Sequence, residues 1–163
     1  MSIGQNIEFG SFGTTQYHPL GYRVQVGGKT YRYCYNAGAD TAAAGEVVGW
    51  YKTTPVYGHV TTTVATFMDN GTAGLGVGVA LSAAPTANYF WVQTQGVGEQ
   101  ALTTDGGVAQ GDGLVVNGGT SPDSTVDTMA DGEEECVFGW ALAADSSTTQ
   151  TAGSYTLNCE RHW

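Results

Sequence analysis

Along this chain apolar side chains recur at every second position or in short unbroken runs, the pattern of strands that bury one face or both. The segments that carry it are Tyr22–Val26, Lys29–Tyr35, Glu46–Tyr51, His59–Phe67, Leu75–Leu81, Tyr89–Thr94, Leu114–Val116, Cys136–Leu142 and Ser154–Cys159. Between the first two stands Gly27-Gly28, where both residues can take positive φ without the cost that a side chain imposes, so a two-residue hairpin is expected. Asn70-Gly71 and the stretch from Pro85 to Asn88 are turn signals of the same kind. Helical spacing is nearest at Asp40 to Gly45, where a capping aspartate precedes alanines that run into glycine, which supports one turn at most. Many short strands separated by turns predict an all-β fold, a small barrel or sandwich.

Residues 1–20 lack the hairpin pattern. Ile3, Ile7, Phe9, Phe12 and Tyr17 are spread among glycines and Pro19 closes the stretch, so the segment reads as an extended arm ahead of a β-body over 21–163. Two readings of it stand side by side, a loose terminus or an arm whose apolar residues lie on a surface. Within the body, Gly45-Glu46-Val47-Val48 resembles Gly111-Asp112-Gly113-Leu114-Val115. Gly78-Val79-Ala80-Leu81 then aligns with Gly139-Trp140-Ala141-Leu142, and Phe90-Trp91-Val92-Gln93 with Tyr155-Thr156-Leu157-Asn158, at offsets of 66, 61 and 65. Either the body holds two similar β-units, over about 45–95 and 111–160, or a glycine-rich β-chain has thrown up chance matches.

Charge is sparse and one-sided. Residues 1–81 balance Arg23, Lys29, Arg32 and Lys52 against four acids, whereas residues 82–163 set Arg161 alone against eleven, which yields the net charge of -10. Nucleic-acid binding draws on clustered Lys and Arg, so DNA and RNA are excluded as partners. The 3 cysteines, Cys34, Cys136 and Cys159, show neither a CxxC pair nor the spacing of a disulfide framework. The stretch from Met1 to Phe12 has no basic residue leading an apolar run, and no apolar stretch is long enough to span a bilayer, so synthesis in a reducing cytoplasm without membrane insertion is expected.

The residues that could supply chemistry are few and dispersed. His18, His59 and His162 are scattered. Cys159 and His162 would need Cys34 and Cys136 to converge on them before they could hold zinc, and a buried thiol is the commoner state of such cysteines. The acids from Asp131 to Glu135, with Asp123 and Asp127 before them, lack the spacing of an EF-hand loop and read as a solvated loop. Trp50, Trp91 and Trp140 sit inside strand patterns, where core packing is the ordinary explanation. No nucleophile elbow, P-loop or dinucleotide fingerprint occurs. The expectation is a protein with no catalytic residue, metal or cofactor.

The run Gly45-Glu46-Val47-Val48-Gly49, then Gly76-Val77-Gly78-Val79-Ala80-Leu81, then Tyr89-Phe90-Trp91-Val92-Gln93-Thr94-Gln95-Gly96 resembles head decoration, or cement, proteins of tailed bacteriophages. The match covers roughly residues 30–118, with a weaker second round beyond; the lengths after Thr53 and around Asp123 to Glu135 depart from the family pattern. The resemblance implies a compact β-barrel or tulip-like fold, a homotrimer on the capsid exterior, the major capsid protein as partner, and no catalysis. Ile3, Ile7, Phe9, Phe12 and Tyr17 on the arm, with Arg23, Lys29 and Arg32 on the neutral half, are then the candidate interface. A tail or baseplate component, or a carbohydrate- or receptor-binding β-module, is the alternative; exposure of Trp50 and Trp91 would favour the binding module.

Overall fold

A computed structural model describes residues 8–53, 55–63, 75–98, 101–102, 108–116, 126–129, 137–144, 149–150 and 155–163. The strands are β1 (Phe12–Gly13), β2 (Arg23–Val26), β3 (Lys29–Asn36), β4 (Val47–Trp50), β5 (His59–Thr61), β6 (Gly76–Ala80), β7 (Tyr89–Val97), β8 (Ala101–Leu102), β9 (Gly113–Val116), β10 (Val126–Thr128), β11 (Gly139–Ala141), β12 (Thr149–Gln150) and β13 (Tyr155–Asn158). A 3₁₀ turn, Cys159–His162, follows, and the fold is all-β as the alternation predicts. Gly27 and Gly28 turn the β2–β3 hairpin with φ of 58° and 79°, the double positive φ that a twisted two-residue hairpin demands.

Strands β7, β6, β4, β5 and β3 are hydrogen-bonded in that order, and β3 pairs back onto β7, so five strands close into a barrel. Within this barrel only β3 and β5 run parallel, Tyr35 opposite His59 and Asn36 opposite Val60. Alternation along β3 and β7 sends Cys34, Phe90 and Val92 into the barrel, where they meet Val48, Val60, Val77 and Ala80. The same alternation turns Tyr31, Tyr33 and Trp91 onto the outer wall. The residues filling the barrel are mostly small or β-branched, as a narrow closed interior requires.

Strands β9, β10, β11 and β13 repeat the pairings of this barrel, with no closing pair between β10 and β7 among the described residues. Val48 faces Gly78 and Val47 faces Val79 between β4 and β6; Leu114 faces Gly139 and Gly113 faces Trp140 between β9 and β11. Trp50 faces Val60 between β4 and β5, and Val116 faces Val126 between β9 and β10. The turn before each first strand repeats too. Gly45 and Gly111 take φ of 88° and 92°, and their N–H groups donate to Ala80 and Ala141 at 2.9 Å in both units. Glu46 accepts from the N–H of Ala43 at 2.7 Å, and Asp112 from that of Ala109 at 2.8 Å. The acid that opens each motif is therefore a turn residue holding its own loop.

For the third strand the pairing corrects the alignment. Val79 faces Gln93, and Trp140 faces Thr156, so Gln93 corresponds to Thr156 and the offset is 63 rather than 65. Tyr31 opposite Gln93 is likewise matched by Val97 opposite Thr156, which makes the end of β7 the counterpart of β3. Strand β7 thus belongs to both units. The outer faces of β4 and β6, through Val47 and Val79, pack into one core with Leu114, Val116, Phe138, Tyr155 and Leu157. Burial of this shared layer joins the two units.

Candidate functional site

Three features stand on this scaffold: a covered aromatic wall, a polar clasp below it, and an open groove beside it. The wall is the outer face of β3 and β7, and residues 8–20 lie across it. Phe9 stacks on Tyr31 with ring centroids 4.1 Å apart and meets Trp91 edge-on at 5.3 Å. Strand β1 pairs antiparallel with the start of β7, Phe12 opposite Phe90. His18 stacks on Tyr22 at 5.2 Å and also meets Tyr33 and Trp91. Burial of the Tyr33 phenol raises its pKa, opposed by its hydrogen bond from the N–H of Tyr17.

Among the candidate interface residues, Phe9 is therefore engaged inside the chain, whereas Phe12 is 50% exposed and Tyr17 75% exposed. Ile3 and Ile7 lie outside the described residues. Phe9→Ala should cost about 2 kcal/mol of stability, less than a fully buried phenylalanine because the ring is only partly covered. Urea unfolding measures it, and a loss under half a kcal/mol would show that Phe9 does not hold the segment down.

The clasp involves the basic candidates. Both Arg32 Nε and Nη2 donate to the Glu160 carboxylate at 2.9 Å, a bidentate pair, and Arg23 Nε adds a bond at 3.1 Å. Arg32 Nη1 donates to the Gly21 carbonyl at 3.0 Å and to the Tyr57 hydroxyl at 3.1 Å. Its guanidinium carbon also stands 4.7 Å over the Trp163 ring, while Trp163 Nε1 donates to the Val77 carbonyl at 2.8 Å. Burial pushes the Glu160 carboxyl up, but the bonds from Arg32 and Thr94, with the nearby charges, outweigh it and hold it below its ordinary value. Burial likewise disfavours the Arg32 cation, and Glu160 more than restores it. Arg32 is thus a structural residue of the barrel strand β3, and Lys29 is half-buried opposite Val26.

The other chemical candidates are placed as follows. Cys34 and Cys159 are buried in separate cores, and burial drives the Cys34 thiol well above its usual range. Cys136 and the acids from Asp131 to Glu135 lie outside the described residues. Burial lowers the pKa of His59. Trp91 is buried, whereas Trp50 is half-buried, meets Trp163 edge-on at 4.5 Å and lines a small apolar pocket with Tyr51, Pro55, Val56 and Tyr57.

Trp140 is 47% exposed on β11 and borders a groove of about 670 Å³ between the β2–β3 hairpin and strands β7, β11 and β13. Four polar residues lie in register across the sheet here: Gln25 opposite Thr30, Thr30 opposite Gln95, Gln95 opposite Asn158. Gln25 Nε2 donates to Thr30 Oγ1 at 3.3 Å, and Thr30 Oγ1 to Gln95 Oε1 at 3.2 Å, which fixes the row. Thr156, two residues from Asn158 on the same face of β13, faces Trp140. Gly96, with φ of 92°, has no side chain to obstruct the hairpin, whose Gly28 carbonyl would lie 2.6 Å from a Cβ there.

No family model and no curated protein matches the chain. Among solved structures it is similar to the N base of the head fibre protein gp8.5 of bacteriophage phi29, at 15% identity and a TM-score of 0.46, covering 79% of this chain and 92% of that one.

Proposed function

We propose that this chain is a non-enzymatic structural protein of a tailed-phage virion, which docks on the capsid exterior as a homotrimer and stabilises the assembled shell. The observation that carries the reading is the presentation of Phe12 and Tyr17. Phe9 and the β1 pairing fix the segment on one side and His18 fixes it on the other, so two large exposed aromatics are held in place between anchors. A surface ordered in the free protein loses less freedom on docking, which leaves more of the burial energy for affinity. The strand motifs that resemble decoration proteins support the same reading, since their residues form the barrel wall and leave docking to the surface. Binding only the assembled lattice would shift the equilibrium towards it by mass action.

Mass spectrometry of purified virions, with capsids and tails fractionated, tests the location; the protein is expected with the capsids. Phe12→Ser with Tyr17→Ser should lower occupancy on stripped capsids at least tenfold, about 1.4 kcal/mol, because burial of each ring contributes roughly 1.5–3 kcal/mol before ordering costs. The far-ultraviolet spectrum should not change. Absence from virions, or unaltered occupancy by the double variant, would overturn the proposal. Sedimentation at micromolar concentration tests the trimer, and a monomer would remove that part of it.

A further inference from the structure

We propose that the groove beside Trp140 binds a neutral carbohydrate chain, with the indole as stacking platform and Gln25, Gln95, Thr156 and Asn158 as hydrogen-bonding partners. The proposal does not rest on the virion reading; it concerns a surface distinct from Phe12 and Tyr17.

The exposed indole is not demanded by the fold. Its counterpart in the first unit, Val79, is 1% exposed and sealed in the shared core, while Trp140 is open to solvent at the same point of the same strand plan. The Trp140 ring lies beside Gly113 on β9, where an added Cβ would stand 3.5 Å from it in ordinary contact. Such a ring offers an apolar face to the C–H face of a pyranose.

The polar partners suit hydroxyl groups. Gln25, Gln95 and Asn158 are amides, each with donors and an acceptor, and Thr156 can donate or accept, which matches a ligand whose hydroxyls do both. None of the described residues lining the groove is charged, although the chain has a net charge of -10. Among them an anionic sugar, a phosphate or a charged peptide would find no counter-ion. The volume lies within the range of small-ligand sites. Strands β7, β11 and β13 are each paired on both edges, so the floor of the groove presents no free backbone row to a peptide adding as a strand.

The test uses the full chain and a panel of neutral hexose, N-acetylhexosamine and deoxyhexose oligomers, with a glucuronate-containing oligomer as the anionic probe. Saturation-transfer-difference NMR at millimolar oligomer and tryptophan fluorescence titration read binding. At least one neutral oligomer is expected to bind and the anionic one is not. Trp140→Ala should weaken binding at least tenfold, and Asn158→Ala severalfold, both with an unchanged circular dichroism spectrum. Asn158 is exposed, so the second variant keeps the test sound if the first disturbs the sheet. Failure of every neutral oligomer to bind, or undiminished binding by the Trp140 and Asn158 variants, would overturn the proposal. Neither result bears on virion location.

Discussion

Replacing Gly139 with alanine should destabilise the protein by about 3 kcal/mol, near the upper end of what overpacking costs. Gly139 lies on β11 between β9 and β13, and a Cβ there would overlap the main-chain carbonyl oxygen of Thr156. Backbone cannot swing aside as a side chain can, so the β11–β13 pairing must open, and with it the cover over Phe138 and Leu157. The equivalent glycine of the first unit, Gly78, would place its Cβ 2.8 Å from the Gln93 carbonyl, a milder version of the same conflict. At Gly113 the nearest atoms are side-chain atoms at 3.3 Å or more. The expected order of destabilisation by alanine is therefore Gly139, then Gly78, then Gly113. A chain of this length loses roughly 2–4 °C of Tm per kcal/mol, so differential scanning calorimetry resolves the order. Equal shifts at all three positions would show that glycine acts there through the unfolded chain rather than through the carbonyl contact.

The same glycines explain what the sequence could reveal. A glycine at a fixed place in an otherwise apolar strand signals close approach, and Gly78 with Gly139 is what let a repeat be read from the sequence beside the alternative of chance matches. Alternation located the long strands because a buried face imposes period two. It also concealed the error in the third strand: a slip by two residues leaves every side chain on its own face, so aligning Phe90 instead of Val92 with Tyr155 violated nothing in the pattern. Strands β8 and β12 are two residues long and β10 three, too short to show periodicity. Phe9 could be read as needing cover, yet Trp91 reads as core packing in its strand pattern, and only the barrel puts it with Tyr31 on the outer wall. The groove was least legible. Gln25, Thr30, Gln95 and Asn158 become a row only where the β2–β3 hairpin meets β7 and β13, which are far from it in sequence, and Trp140 resembles any other strand tryptophan until Val79 is seen buried in the equivalent place.

Glu160→Ala should cost about 3 kcal/mol, the low end of the range for removing one partner of a buried pair. The side chains of Arg32 and Glu160 are 13% and 18% exposed, so solvent screens the pair only in part. Losing the carboxylate leaves the Arg32 guanidinium over Trp163 without its ion-pair partner, and leaves the Thr94 hydroxyl only the longer bond to the Thr30 carbonyl at 3.3 Å. Arg23→Ala should cost under 1 kcal/mol, because that side chain is 42% exposed and its ion pair is a surface one. Acid supplies a second, independent measure. With its folded pKa depressed, Glu160 stabilises the protein fully above the ordinary carboxylate value of about 4.3 and loses that contribution as pH falls through the folded value. Glu160→Gln cannot titrate. The stability gap between the natural chain and Glu160→Gln, measured by urea unfolding, should accordingly stay constant from neutrality to about pH 5 and narrow below it. A gap that held constant down to pH 3 would mean that the carboxylate contributes by shape and packing, and that the charge on Glu160 does not hold Arg32 in place.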